Sequence, residues 1–188
     1  CFHLRRHYLY ILFQFFSKIG QILKNPNDVS GRPYVDEARM EPLQLAVIAG
    51  LTPPDVEVLM YDDRVESIPY DDPTDLVAIT VEIFTARRAY EIAVEYRNRG
   101  VPVIIGGIHP SVIPEEGAQY ADSVCVGDAE WVWGEVIEDA RKGTLKPVYQ
   151  SRPGIPQESA IIRKDIFQGK GYLPINLITE FIGTINRI

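Results

Sequence analysis

Short apolar runs rich in β-branched residues alternate along this chain with stretches of helical periodicity. The run LVAITV, at Leu76–Val81, is nearly continuously apolar, and VPVII at Val101–Ile105 is similar. Such runs are typical of strands covered on both faces, as in a parallel sheet. Strands and helices that alternate with spacers of this length predict an α/β fold. We therefore expect a flavodoxin- or Rossmann-like, doubly wound parallel sheet with helices on both faces.

Five strands are predicted, and the flavodoxin-like order 2-1-3-4-5 is the natural arrangement for them. The predicted strands are Tyr8–Phe16, Val56–Asp62, Leu76–Val81, Val101–Gly106 and Ala121–Gly127. The predicted helices are Glu41–Leu51, Thr85–Gly100, one that starts near Ser111, and Ala129–Lys142. Thr85 is a candidate N-cap for the second helix, and Gly143 a C-terminal stop for the last.

The charge of the chain is unevenly distributed. Residues 1–24 hold four basic side chains and no acidic one, whereas the whole chain carries a net charge of −7. An acidic body argues against nucleic acid as a partner. The apolar run Tyr8–Phe16 is too short for a transmembrane segment. It is interpreted as a buried strand, with a segment lying on a membrane surface as the alternative.

Three regions follow from these patterns. Residues 1–39 form a basic, apolar head and a loop, residues 40–143 the folded domain, and residues 144–188 a linker rich in proline and glycine. Two cysteines, Cys1 and Cys125, cannot form a disulfide framework, and Cys125 lies in an apolar strand pattern where a buried structural thiol is expected. This cysteine usage suggests the cytoplasm.

Three of the predicted strands end in loops that can bind a ligand. In an open α/β sheet the ligand crevice lies beyond the carboxyl ends of the strands. Consecutive glycines let the backbone turn sharply and approach a ligand closely, and nearby helix N-termini favour a phosphate-bearing ligand. The candidate residues are Val81, Glu82, Ile83, Phe84 and Thr85; Gly106, Gly107, Ile108, His109 and Pro110; and Gly127, Asp128, Ala129 and Glu130.

Each of these features has a simpler explanation. The glycine pair can serve only a tight turn, and His109 can be a loop or capping residue rather than a metal ligand. Asp128 and Glu130 can cap the last helix instead of contacting a ligand. The sequence Asp62–Arg64 can be a ribose-binding position or a solvated loop. The sequence shows no pattern of catalytic residues or metal ligands, so we predict no catalytic or metal-binding residue.

The order of these segments resembles a known family. MEPLQLAVIAGLTP, VEVLMYDDRVE, DLVAITV, VPVIIGGIHPSVIPEE and ADSVCVGDAEW together look like the N-terminal cobalamin-binding domain of cobalamin-dependent radical S-adenosylmethionine enzymes. The resemblance covers about residues 40–150. Its strongest parts are GGIHPSVIPEE and VGDAE, the latter similar to the family's Gly-Glu-x-Glu. It implies a domain that holds the corrinoid against the three loops above.

The chain departs from the family's pattern in two places. It contains no DxHxxG, and the loop at Asn25–Met40 has no histidine to ligate cobalt, so the resemblance implies base-off cobalamin without a protein histidine ligand. The resemblance also predicts a CxxxCxxC soon after Lys170–Pro174, yet no cysteine follows Cys125. Because thiolates are the ligands of a 4Fe-4S cluster, that cluster and S-adenosylmethionine belong only to a complete parent protein.

Three functions follow as hypotheses. The first is a cobalamin-binding module without catalysis of its own, whose partners are a small-molecule cofactor and, if the chain is a fragment, a radical S-adenosylmethionine barrel in cis. The second is a truncated part of an active radical methyltransferase or cyclase. The third is a flavodoxin-like scaffold or signalling domain, for which a receiver would need an aspartate where this chain has Glu82.

Overall fold

The computed structural model describes residues 41–63, 66–154 and 161–172, together with the strand at residues 7–13. The described residues form one sheet of six parallel strands in the order β2-β1-β3-β4-β5-β6. The strands are β1 (His7–Phe13), β2 (Val56–Asp62), β3 (Leu76–Thr80), β4 (Val103–Gly106), β5 (Ser123–Val126) and β6 (Val148–Gln150). The doubly wound α/β fold and the order 2-1-3-4-5 are confirmed.

The helices connect these strands. They are α1 (Leu43–Leu51), α2 (Ala86–Asn98), α3 (Ile108–Val112), α4 (Pro114–Gly117) and α5 (Trp133–Lys142), with 3-10 turns at Ala129–Trp131 and Lys164–Phe167. No helix within the described ranges has the length and apolarity needed to span a membrane.

The first strand lies inside the sheet. It pairs in parallel with β2 on one side and with β3 on the other, so that Leu9 is in register with both Val58 and Leu76. This confirms that the apolar run near the start of the chain contains a strand. The predicted strand ran from Tyr8 to Phe16, and its last three residues lie outside the described part of the chain.

Helices cover both faces of the sheet because side chains alternate along each strand. Val77 and Ile79 of β3 belong to a core with Ile92 and Tyr96 of α2. The neighbouring Ala78 belongs to the opposite core, which α1 and α5 cover. On that second face the indole nitrogen of Trp133 donates to the Thr52 hydroxyl at 2.9 Å, which fastens α5 to the end of α1.

Two features after residue 143 were not foreseen. Five strands were predicted, but β6 pairs in parallel with β5 and makes a sixth. Its three residues are too few for an alternating pattern to show in the sequence. Further along, Phe167 is buried in the core on the α1 face, and the Arg163 amide donates to the Ala46 carbonyl at 3.1 Å. The predicted region boundaries stay predictions.

Two predicted features of the helices were wrong. The helix expected near Ser111 begins three residues earlier, at Ile108, and is interrupted at Ile113, so two short helices replace one. Pro114 explains the interruption, since the residue before a proline is disfavoured in helical conformation. Thr85 makes no side-chain capping bond to α2 and instead bonds to the turn before it.

Candidate functional site

The three predicted loops lie side by side. They follow β3, β4 and β5, which are neighbours in the sheet, so all three lie at the edge where the parallel strands end. We call this the carboxyl edge, and we call Val81–Thr85 the first loop, Gly106–Pro110 the middle loop and Gly127–Glu130 the last loop. The structure therefore brings together the segments that contain the candidate residues.

The first and middle loops are joined through their backbones. The Val81 amide donates to the Gly106 carbonyl at 2.8 Å, and the His109 amide donates to the Val81 carbonyl at 3.2 Å. Gly107 adopts φ 105° and ψ −168°, a region that is essentially restricted to glycine. A β-carbon at Gly107 would lie 2.8 Å from the Val81 carbonyl oxygen. The glycine is therefore required by the close approach of the two loops.

A hydroxyl shapes the first loop. The buried Thr85 side chain accepts a hydrogen bond from the Glu82 amide at 3.0 Å and donates one to the Glu82 carbonyl at 3.1 Å. This tight turn leaves the two residues between them pointing outward, with Ile83 66% exposed and Phe84 49% exposed. The turn thus presents apolar side chains to solvent at the carboxyl edge.

Exposed apolar side chains continue onto the neighbouring loop. Ile108 of the middle loop is 56% exposed and Val112, on the helix that follows it, is 69% exposed. We call Ile83, Phe84, Ile108 and Val112 the apolar ledge. Groups of exposed apolar residues on a folded domain mark surfaces for ligands or partners. The ledge is therefore the main chemical feature of this edge.

Glu82 adds a carboxylate beside the ledge. Partial burial raises its pKa above the ordinary value of 4.5. None of the ion pairs among the described residues involves Glu82. A carboxylate that loses hydration without gaining a cation is available to a polar group of a ligand.

The side chain of His109, a residue of the middle loop, is buried beneath that loop. Its side chain is 11% exposed, and Nε2 lies 3.4 Å from a carboxylate oxygen of Glu116 on α4. The ring of Tyr90, on α2, lies 6.3 Å away between centroids, and burial raises the pKa of Tyr90 to about 12, with a further contribution from Glu116. Val81, Thr85 and Pro110 are buried as well. These predicted site residues support the loops from within.

The last loop approaches the middle loop through a serine. The Ser111 hydroxyl donates to the Gly107 carbonyl at 2.7 Å and accepts from the Gly127 amide at 2.9 Å. Gly127 itself has φ 84°, and a β-carbon there would lie 2.9 Å from Ser151. Ser111 was predicted only as the start of a helix, and its bond with Gly127 was not predicted. The bond back to Gly107, four residues earlier, is common for serine in a helix, whereas no sequence signal indicates the bond with Gly127.

The acidic residues of the last loop do not act as caps. Asp128 makes no side-chain hydrogen bond to the 3-10 turn at Ala129–Trp131, which it precedes. Glu130 lies within that turn and before α5, which begins at Trp133. Burial, together with smaller contributions from the negative charges of Glu130 and Asp128, raises the pKa of Cys125 to about 11. Ala129 packs against the core. Cys125 is buried, which confirms the prediction of a structural thiol.

The aspartates after β2 have structural partners. Asp62 is fully buried and accepts a 2.6 Å hydrogen bond from the Tyr172 hydroxyl. Asp63 receives two hydrogen bonds of 2.9 Å from the Arg88 guanidinium. Neither is the free side chain that a solvated loop would offer, and Arg64 lies outside the described residues. These contacts fasten the end of β2 rather than build a ribose site.

Concave surfaces are found elsewhere on the described residues. One cleft lies between the end of α2 and the start of β4, next to Asp122, and another follows β2 from Pro54 to Leu59. Within the described part of the chain no cluster of three or more His, Cys, Asp or Glu side chains is placed to hold a metal ion. The carboxyl edge instead presents the exposed side chains of the apolar ledge.

Two curated proteins of Chlorobaculum tepidum are similar to this chain. Bacteriochlorophyllide d C-8(2)-methyltransferase is 40% identical over 121 residues, which are 62% of this chain and 27% of the relative. Bacteriochlorophyllide d C-12(1)-methyltransferase is 36% identical over 112 residues, 58% of this chain and 25% of the relative. The matched part of the chain thus spans about a quarter of the length of these methyltransferases.

The remaining comparisons add little. No protein-family model matches the sequence. The N-terminal domain of a hypothetical protein from Thermotoga maritima, known from a crystal structure, shares 24% identity with this chain at a TM-score of 0.35, covering 45% of this chain and 66% of that one. A likeness this low supports no conclusion about fold or function.

Proposed function

We propose that this chain is the cobalamin-binding module of a radical S-adenosylmethionine enzyme and that it holds the corrinoid at the carboxyl edge. The observation that carries the proposal is the apolar ledge, which lies beside a glycine loop where parallel strands end. The similarity to two methyltransferases supports it, because bound cobalamin supplies a cobalt-centred carrier for methyl groups. The module has no catalysis of its own in this proposal.

The residues present fit such a ligand. One face of a corrin ring is broad and largely apolar, and the ledge offers an exposed apolar surface to it. In this proposal the carboxylates of the first and last loops, those of Glu82, Asp128 and Glu130, accept hydrogen bonds from the amide groups that surround the ring. The imidazole of His109 is buried against Glu116, so it does not reach the edge. The proposal is therefore base-off cobalamin without a histidine ligand from this domain.

A titration tests the proposal. The full chain is mixed with hydroxocobalamin, and the visible spectrum and co-elution on gel filtration are recorded; we expect binding at tens of micromolar or below. Ile83→Asp should weaken binding at least about tenfold, because it places a charge against the apolar ring. Ile161→Asp is the matched control, since Ile161 is 81% exposed and its backbone lies against Gly50 of α1, before the start of β2. Absence of binding by the wild-type chain would refute the proposal.

The similarity to methyltransferases also favours a second candidate, that this chain is part of an active radical methyltransferase. A following barrel in cis would then hold the 4Fe-4S cluster and S-adenosylmethionine. No cysteine follows Cys125 in the sequence, so the cluster thiolates would have to come from elsewhere in the parent protein. Sequencing the gene downstream decides this: a CxxxCxxC in any reading frame soon after Tyr172 supports it, and none within a barrel's length contradicts it.

A further inference from the structure

Ser111 connects two loops that are otherwise separate in sequence. Its hydroxyl accepts from the Gly127 amide, sixteen residues away, and donates to the Gly107 carbonyl, four residues back. The second bond alone is common for serine in a helix. The first is not local, because it joins the segment after β4 to the end of β5. The serine therefore ties the middle loop to the last loop across the carboxyl edge.

The bond continues a chain of contacts along this edge. The first loop is held to the middle loop by the bond from the His109 amide to the Val81 carbonyl, and Ser111 extends the connection to Gly127. Both glycines that Ser111 contacts have positive φ, 105° for Gly107 and 84° for Gly127. Glycine populates positive and negative φ about equally, so a hydrogen bond from a neighbouring side chain helps to select one conformation. The serine supplies that bond on both sides.

The Ser111 hydroxyl has a limited number of hydrogen bonds that it can make. A serine hydroxyl has one proton, which here is given to Gly107, and it uses a lone pair to accept from Gly127. Ser111 therefore has no further proton to donate to a ligand. Its second lone pair can still accept a hydrogen bond, so the contribution tested below is the one that it makes through the two glycines that it fixes in position.

We infer that Ser111 is a positioning residue, which sets the spacing between the middle and last loops and so the fit of a ligand between them. For the identity of that ligand, the inference rests on the proposed function. Removing the hydroxyl leaves the Gly127 amide without its partner and frees the last loop to move. The ligand must then pay an ordering cost that the serine otherwise removes in advance.

Three variants test this in the full chain. Ser111→Ala should weaken hydroxocobalamin binding about fivefold, the effect of one hydrogen bond. Ser111→Thr keeps the hydroxyl and should bind within about twofold of wild type. Ser123→Ala is the control, because the buried Ser123 hydroxyl has no hydrogen-bond partner among the described side chains and backbone groups and lies at the start of β5. Thermal unfolding of each variant checks that it is folded.

A second readout needs no ligand. Hydrogen exchange of the Gly127 amide, followed by NMR, should accelerate on the order of tenfold in Ser111→Ala and not in the Ser111→Thr or Ser123→Ala variants. The inference is overturned if Ser111→Ala leaves this exchange rate unchanged, or if it binds hydroxocobalamin as the wild type does. Failure of the wild type to bind refutes the proposed function alone. In that case the exchange of Gly127 still decides the role of Ser111.

Discussion

The two edges of the sheet are built on different principles. At the amino edge, where the strands begin, arginine–carboxylate pairs join neighbouring elements. These pairs are Arg97–Asp122, Arg99–Asp71 and Arg141–Asp55. At the carboxyl edge, within the described residues, neither arginine nor lysine pairs with the carboxylates of the three loops, and the apolar ledge lies exposed. The connections among the three loops are made by backbone groups and hydroxyls, whereas the Arg88–Asp63 pair lies farther along this edge, at the end of β2.

From this difference we predict that stability and ligand binding depend on different edges of the sheet. Exposed ion pairs each contribute little to stability, and at the amino edge several of them join neighbouring elements. Bonds between backbone groups hold the loops of the carboxyl edge without using the side chains that face outward. The side chains of Ile83, Ile108 and Val112 thus stay exposed at that edge. Under the proposed function, we therefore expect changes at the amino edge to affect stability and changes at the carboxyl edge to affect ligand binding.

The largest loss of stability is expected at Gly107, where the backbone conformation requires glycine. Gly107→Ala should lower the free energy of unfolding by about 3 kcal/mol, because alanine cannot easily adopt φ 105° with ψ −168° and its β-carbon would meet the Val81 carbonyl. The variant should also lose hydroxocobalamin binding, since the first and middle loops must separate. Urea unfolding and the titration measure the two effects.

A second glycine provides the control for this prediction. Gly134 lies within α5, and nothing lies within 4 Å of a β-carbon built there. Gly134→Ala should raise the free energy of unfolding by about 0.5–1 kcal/mol, the usual gain for such a change in a helix. If Gly107→Ala proved as stable as wild type, the close approach of the two loops would not be a requirement of the fold.

Most of the fold could be predicted from the sequence. The apolar runs and helical stripes predicted the parallel sheet, its order and all three loops, since burial of these residues determines secondary structure directly. The part of the run at Tyr8–Phe16 that the structure describes is a strand, as predicted, although propensity alone left a membrane-surface segment open. The three residues of β6 carried too little pattern and were missed.

The details of the site were harder to predict, because they depend on contacts between distant residues. The direction of the His109 side chain, beneath its loop, is decided by packing against Tyr90 of another helix. The bond from Gly127 to Ser111 joins two segments whose proximity only the folded sheet creates. Thr85, expected as a cap, instead bonds within its own turn. Sequence pattern thus locates the loops, and tertiary packing sets the roles of their residues.

The second largest effect should be at the amino edge. The Asp122 carboxylate accepts from the Val103 amide at 2.9 Å and pairs with Arg97 at 2.9 Å. Asp122→Ala should cost about 2 kcal/mol in unfolding free energy, because a hydrogen bond to a charged group is lost and the amide is left unpaired. Binding of hydroxocobalamin should not change. Asp72→Ala, at an exposed aspartate of the same edge, is the control; a binding defect in Asp122→Ala would contradict the separation of roles.

A smaller effect is expected beneath the middle loop. His109→Ala removes a buried ring beside Glu116 and Tyr90 and should cost about 1 kcal/mol in unfolding free energy. We expect hydroxocobalamin to bind only about two- to threefold more weakly, because the imidazole supports the loop from below and does not face the edge. Complete loss of binding, with the variant still folded in circular dichroism, would show that His109 contacts the ligand.

The smallest effect concerns the charge beside the ledge. Partial burial raises the pKa of Glu82 in the folded chain above its ordinary 4.5. As the pH rises past this ordinary value, the unfolded chain releases the proton first, so ionisation of Glu82 disfavours folding, and the penalty is complete above the folded pKa. Glu82→Gln has no such penalty. It should be more stable than wild type at pH 7, and the difference should disappear below pH 4.5.

The difference in stability between Glu82→Gln and the wild type tests whether the two edges differ as described. Because solvent screens the partly exposed carboxylate, the gain from Glu82→Gln should stay below about 0.5 kcal/mol. Urea unfolding at several pH values between about 4 and 7.5 measures it, and Asp72→Asn, at the amino edge, corrects for the change in net charge. A variant less stable than wild type at pH 7 would mean that Glu82 accepts hydrogen bonds as a carboxylate. The carboxyl edge would then be satisfied internally, as the amino edge is, and would have less to offer a ligand.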